Sequence, residues 1–595
     1  MAYVNTTYGM NAKSGTITGM SHSSESMTPS EKPVIVAVSV LLVLYVLATV
    51  LGWTESPSSK PVVSTSASGS TSSSSSRSPK SEGEEPTATA PVTERSDGDS
   101  SGHLDAVSVE GVSEGNHGEG GVHGEIQEHG ALTEVHAGDH GNHDDGNGHH
   151  GSAPHLYAVL PFVLLLGAIA VFPLVPLLEH WWESNLHRFC VALGLAILTL
   201  GYYLFLYTDR SVTTVLHVLD HAFLVEYVPF IVLLFSLYTI AGGIRITGDL
   251  PAGPLTNAAF IGVGGLLASF VGTTGAAMLL IRPLLETNSE RKFVKHTVVF
   301  FIFVVCNCGG CLLPIGDPPL FLGYLEGVSF LWTLQALWLP WLFTNVALIA
   351  IFLVWDTYRY RQEKPRDITL DETRVRQIRI SGWQLNFPLL LGVVLCVALL
   401  DPKKPFLGTD WYPFLYLREV CQLCLVVFSL WWGERNVRVS NRFNYHAILE
   451  VAALFLGIFI CMQPALQILN ERGADLGINS GAKFFWFTGV LSSALDNAPT
   501  YLVFFKTAEA QFSGHLGDLV SRPGENPLAH DYLVAISLGA VFMGAMTYIG
   551  NGPNFMVKAI AEESGVRMPS FFGYMAYSVA VMVPVLLVVT WLFVH

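Results

Sequence analysis

The chain has 595 residues, of which 50% are apolar and only 13% charged, with a mean hydropathy of +0.43. Those proportions exclude an ordinary soluble globule and call for many apolar spans. The formal net charge of −16 is concentrated: residues 54–155 hold 4 Lys/Arg and 17 Asp/Glu, a net of −13, and no basic stripe with interleaved aromatics points to nucleic acid outside loop 357–379.

Residues 1–33 are polar, rich in Ser and Thr and without periodicity, which predicts a disordered N-terminus. Residues 34–53 are apolar and long enough to span; with Lys32 before them they read as a signal anchor with its N-terminus inside, or as a signal-peptide-like span. Residues 54–155 are low in complexity, Ser/Thr-rich over 56–78 and rich in Gly, His, Asp and Glu over 101–155. Such a composition cannot bury a core, and a disordered linker is expected. It carries half of the 20 His, among them His136, His140, His143, His149 and His150. Those residues suit a loose trap for Zn²⁺, Ni²⁺ or Cu²⁺, a patch that changes charge near pH 6.5, or a mere solvated spacer.

From residue 156 the chain is nearly continuous membrane. Candidate spans are 156–178, 189–207 and 226–243, an apolar pair 257–271 and 276–287, a broken span 296–323, and 332–355. Then follow 385–400, 413–432 and 447–470, a second pair 482–495 and 498–507, a broken span 531–556, and 571–594. The same order of elements thus occurs twice, which divides the chain into repeat 1 (156–379, with a linker) and repeat 2 (380–595). The limbs of each pair are short of the about 20 residues a span needs, so each pair is expected to be a re-entrant hairpin.

Loop 357–379 is the most basic, with Arg359, Arg361, Lys364, Arg366, Arg374, Arg376 and Arg379, and should be cytoplasmic. Counting outward from it puts Arg291, Lys292 and Lys295, then Arg435, Arg438 and Arg442, then Lys558 and Arg567 inside. The first hairpin then enters from the inside and the second from the outside. The expected fold is an all-α polytopic membrane protein of two inverted repeats, each with a re-entrant helical hairpin and a broken transmembrane helix. An N-terminal single span and a disordered external linker precede it.

The two broken spans repeat a pattern: Pro314-Ile315-Gly316-Asp317-Pro318-Pro319 matches Tyr548-Ile549-Gly550-Asn551-Gly552-Pro553. Pro and Gly interrupt helices, and freed backbone groups are tolerated in lipid only where they line a cavity or meet protein. Such breaks at matching positions point to a transporter's substrate site. The hairpin tips also align, Gly272-Thr273-Thr274-Gly275 with Asp496-Asn497-Ala498-Pro499, followed by Thr500. The predicted breaks are therefore Gly272, Gly275, Pro314, Gly316, Pro318, Pro499, Gly550 and Pro553.

Val271 to Pro283, Pro314 to Pro319 and Leu495 to Thr500 resemble the ion transporter superfamily, and within it the NhaD-type sodium/proton antiporters and citrate-transporter-like proteins. The resemblance covers about 156–594 and implies opposed hairpins, a scaffold, a moving transport domain and a homodimer. It leaves the substrate open. Asp317 and Asp496 are carboxylates at predicted membrane depth, where a charge costs about 2.5–3.5 kcal/mol unless it is protonated or bound to a cation. A group that holds either H⁺ or Na⁺ is the minimal chemistry of exchange. Asp496 is the first candidate for the switch, with Asn497, Ser493 and Thr500 as oxygen donors. Asp317 is second, with Thr273, Thr274 and Asn307 nearby and Thr547, Asn551 and Asn554 supplying neutral groups. Each Asp can also be a plain helix cap.

Arg282 either snorkels to the interface or partners an Asp or an anion. The Cys308/Cys311 and Cys421/Cys424 pairs lie in apolar runs and read as small packing residues rather than metal or redox motifs. No HExxH occurs and no enzyme is expected. The expectation is a secondary transporter of the cell membrane, read as a bacterial inner membrane, that exchanges Na⁺ (or Li⁺) for H⁺; the alternative is a Na⁺- or H⁺-coupled carrier of citrate-like carboxylates or other oxyanions. Lipid, a small ion and a second copy of the chain are the expected partners. No cofactor is expected beyond Na⁺ and H⁺ as transported or coupling ions.

Overall fold

The computed structural model describes residues 31–50, 153–207, 210–373, 376–521 and 526–594. The N-terminal 30 residues and the linker, with His136, His140, His143, His149 and His150, lie outside the described residues.

The described chain is helical almost throughout, as a backbone in lipid must be to satisfy its own polar groups. We number the principal helices α1 (Glu31–Val50), α2 (Leu156–Leu174), α3 (Asn185–Phe205), α4 (Val212–Ala241), α5 (Pro254–Val271), α6 (Thr273–Thr287), α7 (Lys295–Val304), α8 (Pro318–Leu325) and α9 (Trp332–Tyr360). The second half holds α10 (Trp383–Leu399), α11 (Leu417–Trp432), α12 (His446–Cys461), α13 (Gln463–Arg472), α14 (Gly481–Ala494), α15 (Asn497–Glu509), α16 (Pro527–Met543), α17 (Gly552–Glu563) and α18 (Phe571–Phe593). Among the described residues seven helices are long and apolar enough to cross a membrane, or eight if the bent pair α12–α13 is one span.

Start signals are local. Asn526 accepts a hydrogen bond from Ala529 N at 3.1 Å ahead of Pro527, and Ser570 accepts from Gly573 N at 3.3 Å. Between apolar helices in lipid, close backbone approach and polar contacts do most of the holding. Gly489 of α14 lies against Met543 of α16, and Gly539 of α16 lies against the Phe485 backbone of α14. The Arg291 guanidinium meets both Asp356 oxygens at 2.5 and 3.1 Å, and His296 Nε2 lies 2.8 Å from Oδ1, which ties the α6–α7 loop to the end of α9.

Four features depart from the sequence expectation. The span expected at 226–243 begins at Val212, and its wide π-helical turn Asp220–Tyr227 absorbs the polar residues that had interrupted the apolar run. The first limb of the first pair is 18 residues long, so shortness does not make it a hairpin. Gly272, at φ +80°, does: the chain folds back there and brings Gly264 against Leu280. The span expected at 447–470 is bent by 43° at the α12–α13 break, with Pro464 in the first turn of α13.

The fold is also not purely α. β1 (Arg245–Asp249) and β2 (Arg376–Ser381) pair antiparallel with Arg245 opposite Ser381, so the end of the basic loop becomes a strand.

Candidate functional site

The first break is built around two glycines. Gly310 and Gly316 cross so closely that a Cβ on Gly316 would collide with the Gly310 carbonyl. Ser269 of α5 fastens the crossing: its Oγ donates to Gly309 O at 2.5 Å and accepts from Leu312 N at 3.2 Å. The Thr273 amide, first in α6, donates to Gly316 O at 2.9 Å. The hairpin tip and the break therefore form one unit.

The second break repeats this geometry with different side chains. Gly544 and Gly550 cross with the same spacing of six residues, and a Cβ on Gly550 would meet Gly544 O and Ser492 O at under 3 Å. Thr547 Oγ1 donates to Ser493 O at 2.6 Å and accepts from Ile549 N and Gly550 N. Ser492 Oγ donates to Ala540 O at 2.7 Å. Gly310 and Gly544 lie beside Thr273 and Asn497 respectively, the two tip residues that align in the sequence.

The two units meet at Asp317, which is 1% exposed. Thr273 Oγ1 donates to its Oδ1 at 3.0 Å, Asn551 Nδ2 to Oδ1 at 3.1 Å, and Asn497 Nδ2 to Oδ2 at 2.7 Å. Asn551 Nδ2 is also within reach of Asn307 Oδ1 (3.3 Å) and Cys306 O (3.0 Å). Asn307 Nδ2 donates to Asn554 Oδ1 at 2.8 Å, and Asn554 Nδ2 donates to Gly544 O and Thr547 O. One carboxylate thus sits among four carboxamides and a hydroxyl. Among the described residues it has no Lys, Arg or His partner. Asn497 Oδ1 is buried without a donor among the described residues.

Four helices begin at this centre: α6 at Thr273, α8 after Asp317, α15 at Asn497 and α17 after Asn551. Their partially positive ends favour negative charge there.

Of the predicted residues, Thr273, Asn307, Asp317, Asn497, Asn551 and Asn554 come together. Asp496 is close enough for its charge to act on Asp317, but it makes no hydrogen bond to this cluster among the described residues. Its Oδ1 accepts from Ala498 N at 3.1 Å, a cap on its own helix. Thr500 Oγ1 donates to Asp496 O, and Ser493 Oγ to Val490 O. Thr274 is half-buried and makes no side-chain hydrogen bond among the described residues. Gly275 and Pro499 are not breaks: each lies in the first turn of its helix, where a Pro is tolerated. Arg282 is half-buried and pairs with no acid among the described residues. Cys308 and Cys311 are buried free thiols in the first crossing.

Sequence reading missed Gly310 and Gly544. The signal was present as two glycine pairs of equal spacing.

A family model, CitMHS_2, described as "Putative citrate transport", matches residues 151–594. The chain belongs to this family. Among curated proteins none matches it. The match covers helices α2 to α18 and takes in only the last residues of the linker. Family and spanning helices together make the protein a multi-pass membrane protein, a citrate-transporter-like secondary transporter and not an enzyme.

Proposed function

We propose that the protein exchanges Na⁺ (or Li⁺) for H⁺ by alternating access, with Asp317 as the group that holds either ion. The observation that carries this reading is one buried carboxylate with three neutral donors and no cationic partner among the described residues. A fixed charge in that position is costly, so it is neutralised by a proton or by a bound cation. A turn of the Asn497 carboxamide exchanges its N–H for Oδ1, a neutral oxygen beside Asp317 Oδ2. That supplies a second ligand of the kind a hard cation takes. Asp496 is a secondary group at the tip of the second hairpin.

The matched crossings support an inverted pair of repeats with re-entrant hairpins, as in the ion transporter superfamily and its NhaD-type antiporters. In this scheme the hairpins and broken helices move as a transport unit. A homodimer in a bacterial inner membrane, with the linker outside, completes the arrangement.

The test is reconstitution of the full chain in liposomes with an internal pH dye. An imposed Na⁺ or Li⁺ gradient should drive proton movement, K⁺ should not, and Asp317→Asn should abolish the response. Retained exchange in that variant removes Asp317 from the mechanism. The second reading, a cation-coupled carrier of citrate-like carboxylates, is favoured by the family description and by the four converging helix N-termini. It predicts uptake of labelled citrate by the same vesicles, and the negative charge of Asp317 beside the anion is its weakness.

A further inference from the structure

The π-helical turn Asp220–Tyr227 of α4 holds a carboxylate that the exchange scheme above leaves unused. Glu226 is 3% exposed. Its Oε2 accepts from Gln463 Nε2 at 3.0 Å, while Oε1 has no hydrogen-bond partner among the described residues. The His221 ring stands 3.6 Å from Oε1, just beyond hydrogen-bond reach, and its side chain is 52% exposed. Two irregularities meet here. π-helical geometry is rare and is found frequently at functional sites. Gln463 is the first residue of α13, at the 43° bend.

The next charges are Glu326 and Lys506. Lys506 Nζ lies 2.6 Å from Glu326 Oε2 and 2.8 Å from Glu509 Oε2, so two acids offset it and it does not pin Glu226. The solvent-facing His515 ring is 3.3 Å from Glu509 Oε1. Glu326 follows the last residue of α8, and Lys506 lies in the last turn of α15. Both helices start at Asp317 and pack together, so the cluster occupies the far ends of the two helices that form the exchange site.

The other elements packed on the turn add little charge. The preceding segment Val212–Leu219 brings His217. The rest of α4 carries only Tyr238 near its end. α12 brings His446 and Glu450, with Glu450 bound to Arg188 at 2.6 Å. Asp220 and Lys403 act on His221.

We propose that Glu226 is a second proton-binding site of the transporter, loaded from solvent through His221, on the face where α8 and α15 end. An unpaired buried carboxylate oxygen is expensive as an anion and accommodated once protonated. A half-exposed imidazole beside it takes a proton from solvent on one nitrogen and delivers one to Oε1 from Nδ1. Histidine and carboxylate both end neutral, and one solvent proton is taken up. The proposal rests on the proton-for-cation reading of Asp317.

The test uses the full chain in liposomes, with pH varied on each face separately and Na⁺ binding read in detergent as a thermal shift. Glu226→Gln should slow Na⁺-driven proton flux by about tenfold or more. It should also remove the dependence of that flux on pH at the His221 face, with Na⁺ stabilisation intact. Glu226→Asp should retain the pH dependence. His221→Gln, at a half-exposed position that tolerates change, should slow flux in weak buffer and recover when imidazole is added at that face.

Wild-type flux and pH dependence in Glu226→Gln overturn the proposal. So does joint loss of flux and Na⁺ stabilisation, which would make Glu226 a structural group. A wild-type protein that moves no protons with Na⁺ overturns the exchange reading and this one together. A wild-type exchanger with an unaffected Glu226→Gln variant overturns this one alone.

Discussion

Asp317 and Asp496 occupy the same local position, the residue before a helix, yet their side chains do different things. Asp496 is followed by Asn497 and Ala498, and the free amide of Ala498 captures its carboxylate at 3.1 Å. Asp317 is followed by Pro318 and Pro319, which remove the two amides at the start of α8. With the second of these gone, the carboxylate loses a principal capping donor and turns to Thr273, Asn497 and Asn551 instead. Asn551 follows the same rule: Pro553 holds the second position of α17, and the Asn551 carboxamide makes no cap and reaches Asp317. Proline spacing, rather than the presence of an acid, separates a site group from a cap.

The strongest way to break this comparison is to neutralise Asp317. Asp317→Asn should lower Na⁺-driven proton flux by about a hundredfold or more, the scale expected for loss of a proton-transferring group. Thermal stability should hold or rise, because a buried charge is exchanged for the amide already used at Asn551. A variant that unfolds instead would make Asp317 a structural residue.

Restoring a capping donor tests the proline rule directly. Pro319→Ala returns an amide to the second position of α8. The carboxylate should be drawn back as a cap, worth about 1 kcal/mol to the helix. Flux should drop by about fivefold, the same energy expressed as a rate. Unchanged flux with a raised melting temperature would mean that capping and exchange do not compete.

A smaller effect is expected at the partner residue. Asn497→Ala removes the only donor to Asp317 Oδ2 among the described residues. A hydrogen bond to a charged group is worth about 1.5–3 kcal/mol. Its loss favours the protonated form, so the pH of half-maximal exchange should move upward by about one to two units. A downward movement, or none, would contradict the hydrogen bond as drawn.

Much of this arrangement was legible before the structure. The repeated element order, the two breaks and five of the polar groups around Asp317 could be read from Gly, Pro and Asn placed inside apolar runs. The choice between the two acids was harder, because both fall at a break in an apolar run at similar predicted depth. It turns on which backbone amides survive two residues later. The π-turn, the bend at Pro464 and the β1–β2 pair were hidden for a related reason. Asp220, His221 and Glu226 interrupt an apolar run without ending the helix, and the Arg376–Ser381 strand leaves Ile378 and Ile380 exposed, so neither carries the usual pattern. Ser269 was visible in the hairpin alignment, but its contact with Gly309 depends on a backbone crossing that sequence distance does not encode.

The weakest perturbation bears most directly on the comparison. Asp496→Asn keeps a good capping side chain, since Asn and Asp cap about equally well. If Asp496 is a cap, this variant should exchange Na⁺ for H⁺ within about twofold of wild type, since cap differences of a few tenths of a kcal/mol are small on the rate scale. Asp496→Ala should then lower stability by about 1 kcal/mol through the lost bond to Ala498 N, with exchange retained. An exchange switch behaves in the opposite order. Its Asn variant loses transport because it cannot titrate, whatever its stability. The Asn and Ala pair, read once by melting temperature and once by flux, therefore separates the two roles even where a single substitution would leave them confounded.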